Sequence, residues 1–384
     1  MSARAIVVTL DACGVGALPD AADYGDAAAS TLPHLADAVG GLQLPTLAAL
    51  GLGAIVPIAG VPPGRPSAIH GRLAPVGPGK DSTAGHWELM GRPADVAPPT
   101  YPQGFPPGLV ARLEQATGRR FCCNRPYNGL DAIDDYGAQH LATGELILYT
   151  SQDSVAQVAA HVDVVGEPDL HALCAAIRAE MTGEHAVGRV IARPFSGAPG
   201  AFERTAGRRD FAVAPPGPTV LDRLTGAGVP VHGVGKVRDL FAGRGIDVHH
   251  PAAGNTEALV RTSALLDSLD RGLIFTNLID TDQVYGHRKD VEGFHRALQE
   301  IDAAVAGWLA ALRPGDLLVL TADHGCDPAA AHSDHTREYV PLLAAGPGVV
   351  PRRHDGAMAD VGATVLRLLA GADAADGLPG RAFA

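Results

Sequence analysis

Residues 5–11 of the chain read Ala5-Ile-Val-Val-Thr-Leu-Asp11, a short apolar run that ends in a carboxylate. Two later runs have a similar composition, Gly272-Leu-Ile-Phe-Thr-Asn-Leu-Ile279 and Asp316-Leu-Leu-Val-Leu-Thr-Ala322. None of the three shows the apolar–polar alternation of a half-exposed strand, so they predict parallel strands that are buried on both faces. Helical patterns lie between them, at Thr256–Leu269 and Glu292–Leu312. This alternation of strands and helices predicts a layered α/β sheet.

Acidic residues follow each of the three predicted strands. Asp11 follows the first, Asp280 and Asp282 follow the second, and Asp323 follows the third, with His324 next to it. Ligands of open α/β sheets bind beyond the carboxyl ends of the strands, and buried carboxylates need a cation or another partner. A single aspartate in such a place is equally well explained as a helix N-cap. Three together favour a cation site.

Histidines extend this set of acids. Asp282 is followed by His287, and Asp323–His324 is followed by His332 and His335. Mixed carboxylate and imidazole ligands suit Mn²⁺ or Zn²⁺. Any one of the 16 histidines is more often a surface or core residue than a ligand, but their concentration after two predicted neighbouring strands favours metal binding.

The composition excludes several classes of protein. With 384 residues, 46% of them hydrophobic, the chain is long enough for one large core or two ordinary domains. A net charge of −12 with scattered charges argues against nucleic acid or an anionic membrane as the main partner. We find neither a secretory signal nor a transmembrane window, and the five cysteines form no CxxC pair. These features predict a cytoplasmic protein.

The middle of the chain differs from its two ends. Pro-rich seams, Ala97-Pro-Pro-Thr-Tyr-Pro102 and Ala214-Pro-Pro-Gly-Pro218, flank it. Between them we predict three helices and two strands: Gly108–Thr117, Leu130–Leu141, Pro168–Met181, Glu145–Thr150 and Gly188–Ala192. We therefore predict that residues 97–213 form an inserted α/β cap domain, and that residues 1–96 and 214–384 form a discontinuous catalytic core.

A hydroxyl-bearing segment, Gly79-Lys-Asp-Ser-Thr-Ala-Gly-His-Trp-Glu-Leu-Met-Gly91, is turn-like at its start and helical from about Ser82. Ser82 or Thr83 would then lie at a helix N-terminus, where backbone N–H groups favour an anion. A capping role for either residue is the simpler interpretation. A serine nucleophile needs a base or a metal to activate it, and two adjacent divalent ions supply that activation.

Several segments resemble the phosphopentomutase family. They are Thr9-Leu-Asp-Ala-Cys-Gly-Val-Gly16, Pro19-Asp-Ala-Ala-Asp-Tyr-Gly-Asp26, Gly79-Lys-Asp-Ser-Thr-Ala-Gly-His-Trp-Glu88, Thr321-Ala-Asp-His-Gly-Cys-Asp-Pro328 and Ser333-Asp-His-Thr-Arg-Glu-Tyr-Val-Pro341. The wider alkaline phosphatase superfamily shares the metal ligands but not the full Lys-Asp-Ser/Thr-x-x-Gly-His-Trp-Glu and Asp-His-Thr-Arg-Glu-Tyr segments. The resemblance implies an alkaline-phosphatase-like layered core sheet with a smaller inserted α/β cap domain.

Transferred position by position, the resemblance implies two divalent metal ions, with Mn²⁺ as the expected metal. The two ligand sets are Asp11, Asp323 and His324, beside the nucleophile, and Asp282, His287 and His335. The nucleophile aligns with Ser82, where the family more often has threonine, and Thr83 is the alternative if the register shifts by one. We expect supporting or core roles for His86, Asp280, His332, Cys13 and Cys326.

The resemblance also implies a substrate and a reaction. It assigns sugar-phosphate contacts to Ser151, Asp153, Arg189 and Lys236. Arg189 is preferred to Arg193 as the guanidinium that binds phosphate. The implied reaction interconverts α-D-ribose 1-phosphate, or its 2-deoxy form, and the 5-phosphate through a phosphoserine enzyme and a bound 1,5-bisphosphate. A sugar bisphosphate would prime the dephosphorylated enzyme, and the cap would exclude water from the phosphoserine. The alternatives are a metal-dependent phosphatase or sulfatase of the same superfamily, a phosphoglycerate mutase, and a non-catalytic binding protein.

Overall fold

The computed structural model describes residues 3–151, 154–375 and 377–384. It divides into two compact units, one formed by Met1–Val96 with Pro215–Ala384 and the other by Ala97–Ala214. Asp153, a predicted substrate contact, lies outside the described residues. Within the described ranges, no helix combines the length and the hydropathy that spanning a lipid bilayer requires.

The strands are numbered in chain order. They are β1 Arg4–Leu10, β2 Ile69–Ala74, β3 Phe121–Pro126, β4 Leu146–Thr150, β5 Val155–His161, β6 Arg189–Ala198, β7 Ala201–Arg204, β8 Arg209–Ala212, β9 Val231–Val234, β10 Val248–His250, β11 Gly272–Leu278, β12 Leu317–Thr321, β13 Val340–Ala345 and β14 Gly356–Ala357.

The α-helices are numbered in the same way. They are α1 Thr31–Ala38, α2 Pro45–Leu50, α3 Leu52–Ile55, α4 Ser82–Leu89, α5 Pro107–Thr117, α6 Gly129–Thr143, α7 Glu167–Glu180, α8 Val220–Gly226, α9 Val237–Leu240, α10 Asn255–Ser268, α11 Val291–Ala311 and α12 Ala359–Ala370. Short 3₁₀ segments occur at Ala21–Tyr24, Gly183–His185 and Ala372–Ala375, and a π-helix occurs at Thr281–Gly286.

The sheet of the first unit has the strand order β10-β9-β11-β1-β12-β13-β2-β14 among the described residues. The strands from β10 to β12 run parallel to their neighbours, whereas β13 is antiparallel to both β12 and β2. The three runs that predicted buried parallel strands form the adjacent strands β11, β1 and β12, which are fully buried. Their prediction is confirmed, and the sheet is extended by antiparallel strands that the apolar runs did not indicate.

A buried ion pair fixes the start of this central region. Arg4, the first residue of β1, is fully buried and forms a salt bridge with Asp316, which directly precedes β12. The backbone N–H of Arg4 donates to Asp316 Oδ1 at 3.1 Å and its Nε donates to Asp316 Oδ2 at 3.0 Å. Loss of either partner would leave a buried charge uncompensated, so the pair holds the register of β1 against β12.

The helices α10 and α11 begin and end within one residue of the sequence prediction. Helix α11 buries one stripe of its surface, at steps of three and four residues: Phe294, Leu298, Ile301, Val305 and Trp308. The Asp290 carboxylate caps this helix by accepting from the Gly293 N–H at 2.9 Å.

The second unit has a sheet of its own, with the strand order β3-β4-β5-β6-β7 and with β8 paired to β6. Alternate residues of β4 enter two different apolar clusters. Leu146 and Leu148 pack with residues of α5 and α7, whereas Ile147 and Tyr149 pack with residues of α6. Successive side chains of a strand point to opposite faces, so helices cover both faces of this sheet.

Candidate metal centre and active site

The predicted metal ligands of the first unit lie at one edge of its sheet. Asp11 follows β1, Asp282 lies in the π-helix after β11, and Asp323 and His324 follow β12. Since β11, β1 and β12 are adjacent and parallel, their carboxyl ends meet at the same edge. His335 comes from the connection between β12 and β13.

Asp11, Asp323 and His324 form the first group. All three are buried, and one ligand atom from each lies within 4.8 Å of the others. His324 Nε2 is 3.3 Å from Asp11 Oδ1 and 3.5 Å from Asp323 Oδ2. His324 Nδ1 lies 3.1 Å from the Gly325 carbonyl oxygen, which can only accept. The proton is therefore on Nδ1, and the lone pair of Nε2 faces the carboxylates.

Asp282 is the centre of the second group. Its Oδ1 lies 3.3 Å from His335 Nε2 and 3.5 Å from His287 Nε2. His287 Nδ1 donates to the Ser333 carbonyl at 2.6 Å, so its Nε2 carries the lone pair. The ligand atoms of Asp282 also form compact groups with His324 and His335, and with His287 and Cys326. The structure thus brings the predicted second set to one carboxylate oxygen and places a cysteine beside it.

The cluster leaves buried polar atoms without hydrogen bonds. Across the part of the chain that the structure describes, these include Asp11 Oδ1, Asp282 Oδ1, Asp323 Oδ2 and His335 Nε2. Unsatisfied buried polar groups are costly, and divalent cations at the two groups of ligands would satisfy these four atoms. Oxygen and imidazole donors suit Mn²⁺ and Zn²⁺. The residues therefore fit the metal ions that the sequence predicts.

The electrostatics of the cluster support the same interpretation. Burial raises the pKa of Asp11 well above its usual range, and the neighbouring carboxylates of Asp323 and Asp282 raise it further. Burial also acts to raise the pKa of Asp282, but the imidazoles of His335 and His287 outweigh it and hold that pKa well below the usual range. Carboxylates packed this closely need compensating positive charge to remain ionised together.

Helix α4 places a hydroxyl group next to the first group of ligands. Ser82, its first residue, has its Oγ 3.1 Å from His324 Nε2. The N-cap is Asp81, whose carboxylate accepts from the N–H groups of Thr83 and Ala84 at 3.0 and 3.1 Å. Neither Ser82 nor Thr83 is therefore the cap. The N–H groups of Thr83 and Ala84, which we expected to favour an anion, are bound to the carboxylate of Asp81 within the chain.

A glycine allows α4 to approach the end of β12. A Cβ atom on Gly85 would lie 2.3 Å from the backbone oxygen of Asp323, a distance that a real Cβ atom cannot occupy. The absence of a side chain at residue 85 thus sets how close Ser82 comes to His324.

Comparison with known proteins identifies the family. The model of the Metalloenzyme superfamily matches residues 3–372. A phosphopentomutase from Caldanaerobacter subterraneus subsp. tengcongensis is 46% identical over 373 residues, covering 96% of this chain and 94% of that protein. A phosphopentomutase from Anaeromyxobacter dehalogenans is 50% identical over 373 residues, covering 95% of each. The chain belongs to the phosphopentomutase family.

Membership of the phosphopentomutase family makes the chain a mutase, which is an isomerase, and places it in the Metalloenzyme superfamily. The PH0037 protein from Pyrococcus horikoshii shares its fold, with a TM-score of 0.50 at 14% identity, covering 96% of this chain and 98% of that protein. The predicted resemblance and the layered α/β fold class are confirmed.

A buried arginine that the sequence analysis did not single out lies near the candidate site. Arg337 is 3% exposed. Its guanidinium donates to the carbonyl groups of Gly77 and Gly79, at 2.7 Å each, and pairs with Asp20 at 2.9 Å. Arg337 thereby holds the loop of residues 75–81, which leads from β2 to Ser82. Its place in the Asp-His-Thr-Arg-Glu-Tyr segment was the available signal, but the sequence did not reveal its partners.

Two carboxylates hold the same loop from other sides. Glu88 accepts from the N–H groups of Val76 at 2.5 Å and Gly77 at 3.0 Å. Asp26 binds Lys80 Nζ at 2.8 Å and His332 Nε2 at 2.9 Å. The loop is therefore fixed through both its N–H and its C=O groups before the chain reaches Ser82.

His86 and Asp280, for which we expected supporting or core roles, form hydrogen bonds within the protein. His86 Nδ1 lies 3.2 Å from Asp323 Oδ2 and donates to the Ser82 carbonyl at 2.8 Å. Asp280 accepts from the Asn255 N–H at 2.8 Å. His86 therefore contacts Asp323 and Ser82, Asp280 contacts the start of α10, and neither residue belongs to the compact groups of ligands.

The described substrate-contact candidates fall into both units. In the second unit, Ser151 follows β4 and Arg189 begins β6, so both lie at one edge of that sheet. Arg189 lies 3.6 Å from Asp210. Arg193 instead donates to Gln157 at 3.1 Å, and burial with neighbouring Arg208 lowers its pKa to about 10. In the first unit, Lys236 follows β9 and binds the Gln283 side chain.

Proposed function

We propose that this chain interconverts α-D-ribose 1-phosphate, or its 2-deoxy form, and the corresponding 5-phosphate through phosphorylated Ser82. The observation that carries the proposal is the 3.1 Å approach of Ser82 Oγ to His324 Nε2, within the cluster of unsatisfied buried acids and imidazoles. The alternative nucleophile, Thr83, is buried, with 8% of the residue exposed, and its N–H is bound to Asp81. These two observations support Ser82 over Thr83. Family membership supports the mutase reaction.

In this proposal two sets of residues hold divalent ions, with Mn²⁺ as the expected metal. One set is Asp11, Asp323 and His324, and the other is Asp282, His287 and His335. When bound, such ions stabilise an alkoxide and neutralise phosphoryl oxygens. Asp81 and the loop of residues 75–81 orient Ser82, since catalysis of phosphoryl transfer is mostly positioning and charge stabilisation.

The reaction begins with phosphorylated Ser82. The phosphoryl group moves to the free hydroxyl of the sugar phosphate, so that the Ser82 Oγ–P bond breaks, a sugar O–P bond forms, and the hydroxyl proton ends on the Ser82 side chain. The 1,5-bisphosphate stays bound, reorients and returns its other phosphoryl group to Ser82. A free sugar bisphosphate primes chains that have lost the phosphoryl group.

Sugar-phosphate contacts come from two parts of the chain in this proposal. Residues 97–213, proposed as the cap domain, contribute Ser151, Asp153 and Arg189, and the catalytic core contributes Lys236. The planar guanidinium of Arg189 suits a bidentate contact with phosphate. Its present partner Asp210, at 3.6 Å, is too distant to form a close hydrogen bond, so the guanidinium retains capacity for an anion.

A product assay tests the proposal. The Mn²⁺-loaded chain, primed with a trace of sugar bisphosphate, is incubated with ribose 5-phosphate, and ribose 1-phosphate and free phosphate are both measured. We expect the isomer without stoichiometric phosphate release, and mass spectrometry should find phosphate on residue 82. Rapid phosphate release with no isomer would favour the metal-dependent phosphatase instead. Turnover of 3-phosphoglycerate alone would point to a phosphoglycerate mutase.

A further inference from the structure

A buried hydroxyl group in the second unit has a proton that no group of the described chain accepts. Tyr149 lies in β4 and is fully buried, and its Oη has no hydrogen-bond partner among the described residues. Burial raises the pKa of Tyr149, although the neighbouring guanidinium groups of Arg193 and Arg204 act to lower it. The hydroxyl therefore keeps its proton, and a buried donor without an acceptor is costly.

The two guanidinium groups lie beside this hydroxyl. Tyr149 is paired with Gln157 of β5, and Arg193 Nε donates to Gln157 Oε1 at 3.1 Å. Arg204 approaches from β7, because a Cβ atom on Gly129, the first residue of α6, would collide with both Arg204 Nη2 and Tyr149 Oη. Guanidinium N–H groups donate and cannot accept. Neither arginine can therefore take the proton of the Tyr149 hydroxyl.

The two arginines also lack a carboxylate to balance their charge. Arg193 is half-buried, and neither Arg193 nor Arg204 forms an ion pair within the described ranges. The nearby acid, Asp210, accepts from Arg208 Nε and Nη2 at 2.8 Å each and lies 3.6 Å from Arg189. Burial, together with neighbouring Arg208, lowers the pKa of Arg193 to about 10. A half-buried cation among like charges favours an anion as its partner.

An anion can reach these donors from solvent. Arg204 is exposed and belongs to β7, which lies at one end of the strand order of this sheet. Movement of this one long side chain opens the space beside the Tyr149 hydroxyl. A phosphate group has several acceptor oxygens, so that it can bind the hydroxyl and two guanidinium groups together, and arginine binds phosphate oxygens in a bidentate manner.

We propose that the Tyr149 hydroxyl and the guanidinium groups of Arg193 and Arg204 form a phosphate-binding site in the second unit. The site takes inorganic phosphate or the phosphoryl group of a phosphate ester. It is separate from the metal ions and the sugar-phosphate contacts of the proposed function, and it does not depend on them. The structure thus gives Arg193, the less favoured phosphate ligand of the sequence analysis, an anion site of its own.

Calorimetric titration of the full-length chain with inorganic phosphate tests this site, with and without Mn²⁺ and at an ionic strength held constant with chloride. We expect phosphate to bind in both conditions. Tyr149→Phe removes only the hydroxyl group, and Arg204→Gln removes one exposed guanidinium. Each should weaken metal-free binding at least about tenfold, the effect of losing one hydrogen bond to a charged group. The control Arg209→Gln, at an exposed arginine over the Phe211 ring, should bind phosphate like the unmodified chain.

Titration of the metal-free chain with ribose 5-phosphate distinguishes the two sources of the phosphate group. Binding that Tyr149→Phe weakens would show that the site accepts an ester, whereas inorganic phosphate alone would identify the free ion as its ligand. Circular dichroism confirms that the variants fold. Equal phosphate affinity of Tyr149→Phe, Arg204→Gln and the unmodified chain would overturn the site. Phosphate that binds only with Mn²⁺ would also overturn it and would belong to the metal centre. Neither result bears on the mutase reaction, which the product assay tests.

Discussion

Ser82 Oγ and His324 Nε2 lie 3.1 Å apart although 242 positions separate the two residues in the chain. Ser82 begins α4, which follows β2, and His324 follows β12. In the sheet, β13 lies between these two strands. This single distance connects the hydroxyl-bearing segment to the cluster of acids and imidazoles, and it supports our proposal of Ser82, rather than Thr83, as the nucleophile.

Ser82→Ala should abolish the interconversion of pentose phosphates and retain bound metal. We expect a loss of at least about three orders of magnitude in kcat, as for other nucleophile deletions. Ser82→Thr keeps the hydroxyl and serves as the matched control, with activity expected within the same order of magnitude. Thr83→Val should remain active. If Thr83→Val is inactive and Ser82→Ala is not, the nucleophile is the neighbouring residue.

Asp323→Asn should reduce the metal content of the purified chain. Its Oδ2 is buried without a hydrogen bond in the described structure, and we expect a metal to supply its partner. In the unmodified chain, Mn²⁺ at a hundred times its Kd should add about 2.7 kcal/mol to the free energy of unfolding, and this gain should shrink in the variant.

The matched control for Asp323→Asn is Asp327→Asn. Asp327 is a buried carboxylate of the same loop, but it already accepts from the Ser30 N–H and from His34 Nδ1, both at 2.7 Å. Elemental analysis and melting with and without Mn²⁺ should therefore show normal metal binding in Asp327→Asn. Equal metal content in both variants would contradict the assignment of Asp323.

Arg337→Lys should lower kcat through displacement of the loop of residues 75–81. Lysine cannot reproduce the planar fork that reaches both Gly77 and Gly79 carbonyls together with Asp20. A misplacement of about 1 Å typically costs about 10²-fold in rate, so we expect a fall of that order with little change in metal content. Arg353→Lys, at the exposed ion pair with Asp355, should leave kcat unchanged. Similar kinetics of the two variants would refute a positioning role.

The second unit should lose stability on acidification through His140. This fully buried imidazole donates from Nδ1 to the Glu145 carbonyl at 2.6 Å and accepts at Nε2 from the His161 N–H at 2.8 Å. The Nε2 contact requires the neutral ring, because a protonated Nε2 cannot accept a hydrogen bond. Burial lowers the pKa of His140 below its ordinary value, so the unfolded chain binds the proton more readily than the folded chain. Stability contributed by His140 is therefore complete above about pH 6.5 and falls as the pH drops below it.

Hydrogen exchange at the His161 amide measures this effect directly in the full chain. Protection, corrected for the intrinsic pH dependence of exchange, should fall below about pH 6.5. His140→Gln can still accept from the His161 N–H but does not titrate in this range, so its protection should stay level. An equal decline in His140→Gln would assign the pH dependence to another group.

The sequence predicted the parts of the site that depend on strand ends. Asp11, Asp282 and Asp323 could be grouped from the sequence alone, because adjacent buried parallel strands bring their carboxyl ends to one edge. The helices α10 and α11 were predicted to within one residue at each end, and α11 repeats its apolar residues at steps of three and four. Local pattern was sufficient in both cases.

Contacts between distant segments could not be predicted in this way. Arg337 is 260 positions from Gly77, and no local periodicity links them. The antiparallel strand β13 lies between β12 and β2, an order that the three apolar runs do not encode. One interpretation of the sequence made Ser82 or Thr83 the cap of α4, but the helix begins at Ser82 and its cap is Asp81, whose carboxylate accepts from two N–H groups.

The close passage of α4 over the end of β12 at Gly85 means that this enzyme can lose its activity while every chemically reactive group remains in place. A Cβ atom at residue 85 would collide with the Asp323 carbonyl, so that α4 and its Ser82 hydroxyl would move away from His324. An inventory of nucleophiles and ligands would classify such a variant as intact. Such a variant would be inactive because the Ser82 hydroxyl is displaced, not because a reactive group is removed. The residue that prevents this displacement is a glycine, which has no reactive side chain.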